Sequence, residues 1–103
     1  MVRVSVLYPK TSESTFDMDY YVTKHGPLVV KLLTPMGMVK LEADEGLGSA
    51  GPGQPAPFAC IGHMTFETVD AFQQAFGPNA PAILGDIPNF TNVEPLVQIS
   101  QIR

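Results

Sequence analysis

Apolar residues alternate along "VRVSVLY", Val2 to Tyr8, with Val2, Val4, Val6 and Tyr8 on one side and Arg3, Ser5 and Leu7 on the other. That period of two predicts a strand with one strongly apolar face, closed by Pro9. A polar connector leads to "FDMDYY", where Asp17 suits an N-cap and Phe16 can staple onto Tyr21, so a helix should begin at Met18. "GMVKLEAD", Gly37 to Asp44, sets Met38, Lys40 and Glu42 against Val39, Leu41 and Ala43, which predicts a second strand with one wet face. "EGLGSAGPGQPAP", Glu45 to Pro57, has no period and reads as an extended, mobile loop whose placement decides the shape of any nearby cleft. "FACIGHMTFE", Phe58 to Glu67, predicts a third strand, with Phe58, Cys60, Gly62, Met64 and Phe66 on one face and Ala59, Ile61, His63 and Thr65 on the other. Thr68 caps "VDAFQQAF", a second helix with Phe72 and Phe76 at i, i+4, which Gly77 and Pro78 should stop. "PAILGDIPNF" then reads as a short helical turn broken by Gly85 and Pro88. "VEPLVQISQI", Val93 to Ile102, predicts a fourth strand, placed at an edge by Pro95.

The order βαββαβ is the split pattern of a ferredoxin-like sandwich, an α+β fold in which two helices cover one face of a four-stranded antiparallel sheet. Residues 1–103 form a single domain. Apolar positions occur on both faces of the predicted sheet, and with only two helices to cover them a second copy of the chain is the simplest cover for the other face. A chain of 103 residues also buries a smaller share of its surface than a larger one, so self-association is a natural source of stability. We therefore expect a homodimer.

Composition narrows the partners. The net charge is −4 and the six Lys and Arg residues are scattered, so no basic stripe exists to track nucleic acid. One cysteine, Cys60, allows no intrachain disulfide, and "MVRVSVLYP" lacks the apolar stretch of a signal peptide, so the cytoplasm is the expected compartment. No apolar run approaches the ~18 residues of a membrane span. Two histidines and one cysteine without paired spacing predict no metal site. "GLGSAGPG" neither follows an apolar strand nor opens a helix, and it fails as a phosphate loop.

The helix "DYYVTKHGPLVVKLL" carries the chemistry. With Tyr21 at the origin and a step of about 100° per residue, Leu28, Leu32, His25, Met18, Val29 and Val22 fall between about −20° and +100°. His25 sits near the middle of that apolar face, and its imidazole should point at the sheet. Beside it, Pro27 removes an N–H at a cost of roughly 3 kcal/mol inside a helix, and Gly26 adds about 1 kcal/mol relative to alanine. Either "HGP" separates two helices, with Pro27 opening the second, or the helix tolerates the strain because His25 has a task there.

"LYP", "FDMDYYVTKHGPLV", "FETVDAF" and "GDIPNFTN" resemble segments of the EthD-like proteins of the dimeric α/β-barrel superfamily, and the resemblance runs over nearly the whole chain. It implies a homodimer whose sheets pack into a barrel, with a small-molecule cleft between sheet and helices in each subunit. In related members, such as methylmuconolactone isomerases and aromatic polyketide cyclases, that cleft hosts proton transfer without metal or organic cofactor. The family's helix-one histidine falls on His25. Asp86 matches the family's Asp and Phe spacing and would close the cleft mouth or orient His25.

Two functions stand side by side. In the first, His25 shuttles a proton for an isomerase, cyclase or lyase acting on an apolar carbonyl or lactone compound, since an imidazole both donates and accepts near neutral pH. Tyr21, one turn away, or Asp86 would assist. Tyr8, Cys60, Met64, Phe66 and Phe90 would line the cleft, and Tyr8 and Tyr20 are further phenolic donors. In the second, the chain is a non-catalytic accessory protein that holds a hydrophobic metabolite. His63 alternates onto the opposite sheet face, towards the expected dimer side.

Overall fold

The computed structural model describes all 103 residues, Met1–Arg103. Strand β1, Val2–Pro9, pairs antiparallel with both β3, Phe58–Phe66, and β4, Leu96–Gln101, while β2, Lys40–Glu45, pairs with the far side of β3. The order β2-β3-β1-β4 puts Pro95 just ahead of an edge strand, where its missing N–H interrupts no ladder. Helices α1, residues 18–33, and α2, Val69–Asp86, cover one face, completing a ferredoxin-like α+β sandwich.

Helix α1 runs unbroken as Met18–Tyr20, a π-helical turn Tyr21–His25, and Gly26–Leu33. Asp17 caps it, its carboxylate accepting from the Tyr20 amide at 3.0 Å. "HGP" is thus not a break between helices. The Gly26 N–H reaches back five residues to the Tyr21 carbonyl, and the widened turn leaves Pro27 at the start of the regular segment, where a missing donor is tolerated. The same turn realigns the buried face. In an α-helix each step of four residues drifts about 40°; a turn that takes up an extra residue cancels part of that drift. Tyr21, His25, Val29 and Leu33 are consequently all buried, whereas Val22, expected on this face, is 55% exposed.

Helix α2 departs from expectation more plainly. Gly77 and Pro78 do not stop it, and it continues for 18 residues through Pro78 and Pro81. Both prolines lie on the solvent side, so the carbonyls they orphan face water. Meanwhile Phe72, Ala75 and Ile83 keep a buried stripe at helical spacing that is worth more than two lost backbone bonds. Strand β2 begins two residues after Met38, which packs into the core before the pairing starts. In the loop after β2, Ala56 is buried, the Lys10 amide donates to the Pro57 carbonyl at 2.9 Å, and the Ser49 amide donates to the Gln54 carbonyl.

The core divides in two. One cluster joins Val4, Val29, Leu33, Met64, Phe66 and Phe72 with their neighbours; the other joins Tyr8, Tyr21, Cys60 and Phe90. On the outer sheet face, Ile61, Leu7 and Leu96 form an apolar row across three strands, and His63 lies between Ser5 and Asp44, 3.2 and 2.9 Å from them. Leu33→Ala should cost about 2–5 kcal/mol in urea unfolding, while Val22→Ala should stay within about 0.5 kcal/mol. A wheel without the π turn predicts a comparable loss at both positions.

Candidate functional site

Asp86 ends helix α2, where the helix dipole disfavours a negative charge. Three donors hold it there. Tyr20 Oη donates to Oδ1 at 2.7 Å, Asn89 Nδ2 donates to the same oxygen at 3.0 Å, and His25 Nδ1 lies 2.9 Å from Oδ2. Burial by itself would raise the carboxyl's pKa, but the hydrogen bonds from Tyr20, Asn89 and His25 and the attraction of the imidazole outweigh it, so the pKa lies below the ordinary value. An ionised Asp86 can only accept, which places the His25 ring proton on Nδ1.

The other ring nitrogen is left free. His25 is 4% exposed and its ring leans on Phe90, centroid to centroid 4.6 Å. Thr65 Oγ1 is the only sealed side-chain polar atom without a partner, so Nε2, which has no partner either, opens onto space. His25 borders a cavity of about 260 Å³ between the two core clusters, together with Tyr8, Tyr21, Met64, Ile83 and other apolar side chains. Leu84 and Val97, both more than half exposed, stand at its rim. A larger depression of about 610 Å³ lies along Thr15–Asp19 and Pro88–Asn92, but it is an open surface groove that His25 does not border.

Tyr21 Oη lies over Gly62 so closely that no Cβ fits at position 62 without displacing the phenol. Burial, with the neighbouring Cys60 adding to it, pushes the Tyr21 hydroxyl well above its ordinary pKa, and burial does the same for Tyr8. Both stay neutral donors. Burial also raises the Cys60 thiol to about 12, despite an opposing hydrogen bond from Tyr21, which makes it an inert packing residue. No three side chains of metal-ligating type converge anywhere in the chain.

The model of the EthD domain matches residues 9–94. The chain belongs to the EthD family. An EthD-like protein of Ralstonia eutropha JMP134 is 31% identical, over 97% of this chain and 89% of its own, with a TM-score of 0.92. An EthD family protein of Bacillus halodurans C-125 is 21% identical over 100% of this chain and 99% of its own, with a TM-score of 0.77. A dimeric Bacteroides fragilis protein of unknown function and ferredoxin-like fold shares that fold at 7% identity, covering 98% of this chain and 94% of its own, TM-score 0.58. No curated protein matches the sequence.

In this EthD chain the residues singled out from sequence separate into two groups. His25, Tyr21, Tyr8 and Met64 border one cavity, with Asp86 directly behind the imidazole. Cys60, Phe66 and Phe90, expected on the cleft wall, do not border it. Cys60 is sealed against the tyrosines, Phe66 is fully buried against Phe72 at 5.5 Å, and Phe90 backs the His25 ring. The loop after β2 contributes nothing to the cavity wall. Gly62, read from sequence on the same strand face as Met64, does border the cavity, whereas sequence reasoning missed Asn89 as a donor to Asp86, although the i, i+3 spacing of "DIPN" was a visible signal.

Because the Asp86 carboxyl is lowered on folding, it stabilises the fold at pH values above ~3.9, the ordinary aspartate value, and that contribution is lost as pH falls through the lower folded value. Urea unfolding between pH 7 and pH 2 should show this loss in the wild type. Asp86→Asn should lack that component and be less stable at pH 7 by roughly 1–3 kcal/mol.

Proposed function

We propose that this EthD-family protein binds a small apolar carbonyl or lactone compound in the His25 cavity and isomerises, cyclises or cleaves it by general acid–base catalysis. The observation that carries the reading is His25 itself, with Nδ1 held by Asp86, Nε2 without a hydrogen-bond partner, and the residue bordering an otherwise apolar hollow. Nε2 takes a proton from a carbon next to the carbonyl, and the electron pair moves into the C–O unit as an enolate. Tyr21 Oη turns its single proton from Cys60 to that oxygen and donates a hydrogen bond to it. The Nδ1–H donated to Asp86 leaves the ring lone pair on Nε2, and the carboxylate offsets the charge of the imidazolium that forms. Return of the proton to a different carbon completes an isomerisation. The sequence needs no metal or organic cofactor.

The working unit in this proposal is a homodimer formed through the outer sheet faces, in the cytoplasm. The row Ile61, Leu7 and Leu96 supports it, with Leu96 58% exposed in the isolated chain, as does the dimeric state of the Bacteroides fragilis neighbour.

The test is exchange of the α-protons of a panel of cyclic ketones and lactones for deuterium in D₂O, followed by proton NMR. The wild type should accelerate exchange for at least one compound, and His25→Gln should slow it by about 10²–10⁴-fold with an unchanged circular dichroism spectrum. Tyr21→Phe, which removes only the donor, should lower the rate without abolishing binding. Exchange undiminished in His25→Gln would overturn the reading. Stoichiometric binding without exchange would assign the cavity to a carrier instead.

A further inference from the structure

The cavity wall is informative in what it offers a guest. Its polar side-chain groups are the His25 ring and the hydroxyls of Tyr8 and Tyr21; no Lys, Arg, Asp, Glu, Ser, Thr, Asn or Gln borders it. Asp86 stands behind the imidazole, out of reach of a guest, so the His25–Asp86 unit carries a net charge of either zero or minus one. A carboxylate entering this space would find no guanidinium fork or ammonium. At most it would meet single donors, while an unpaired charge in an apolar site is costly. A cationic guest would fare no better, because no anionic oxygen reaches the wall.

Size follows from the same space. An apolar hollow of about 150 Å³ holds benzene, with six heavy atoms. Scaled by volume, about 260 Å³ accommodates roughly ten, the size of an indane or tetralin skeleton. The polar end of the cavity is one-sided, with Tyr21 Oη over Gly62 and the Tyr21 and His25 rings 5.4 Å apart, centroid to centroid, while Val4, Val29, Phe72, Phe76 and Ile83 offer only carbon. A guest therefore has one oxygen-bearing end and a hydrocarbon remainder.

We propose that the cavity selects an uncharged, singly oxygenated compound of about ten heavy atoms and rejects the carboxylate built on the same skeleton. This rests on the reading of the cavity as the ligand site and adds charge and size selection to it. The oxygen accepts from Tyr21, and the carbon beside it lies against His25.

Isothermal titration of the full chain at pH 7.5 with 1-indanone and with indane-1-carboxylate tests the proposal, with ¹⁵N-¹H spectra recorded alongside. Indanone should bind one per chain and shift the amides of Gly62 and His25. The carboxylate should bind at least about 100-fold more weakly. Ile83→Trp, which fills the hollow, should abolish indanone binding. Should that variant fail to fold, the wild-type amide shifts still locate the site. Equal affinity for ketone and carboxylate at the Gly62 and His25 signals would overturn the selectivity while leaving the ligand site standing. Indanone that shifts neither signal would overturn both.

Discussion

The bond between His25 and Asp86 joins groups 61 residues apart, one from the widened turn of helix α1 and one from the last residue of helix α2. Much of the chain is arranged to make it possible. The π turn keeps Tyr21 and His25 on a common face with Val29 and Leu33, and α2 must run its full length past two prolines to bring Asp86 to the imidazole. Tyr20 and Asn89 then take up the carboxylate oxygen that His25 does not use. An acid at the C-terminal end of a helix is a poor choice for stability alone. Here it fixes which nitrogen of an inward-facing ring remains free.

The two-part core explains why there is room for a guest. Aromatic residues gather at the Tyr8 end, where Phe16, Tyr21 and Phe90 meet edge to face or tilted at 5.1–5.9 Å, and aliphatic residues with Phe66 and Phe72 gather at the other. Flat rings packed at angles to one another do not mesh closely with the branched side chains of the second cluster. The gap falls at Val6, which touches both clusters, and beside Gly62, whose missing side chain lets the Tyr21 hydroxyl reach the cavity wall. Hydrophobic packing thus leaves the hollow, and the polar pair sets its chemistry.

The βαββαβ order of elements, the Asp17 cap and the inward direction of His25 were legible in the sequence because alternation and helical spacing report which elements form and which face each buries. The extent of α2 was not, because Gly77 and Pro78 are strong local stop signals. The tertiary stripe of Phe72, Ala75 and Ile83 overrides them. The exposure of Val22 was hidden for a related reason: a wheel of fixed pitch cannot anticipate an inserted residue. Cys60 and Phe66 were placed on the correct face of β3 yet away from the cavity, since alternation gives a side and not a position along it. Phe90 lies outside the regular elements, where no period constrains it.

The close approach of the Tyr21 phenol to the backbone of strand β3 has a consequence for how such chains can drift. A methyl group on position 62 and a hydroxyl on residue 21 compete for one volume, so the two positions are bound to covary across lineages. A relative that gains alanine at the strand position should have surrendered tyrosine on the helix for something shorter, and with it the donor beside the imidazole.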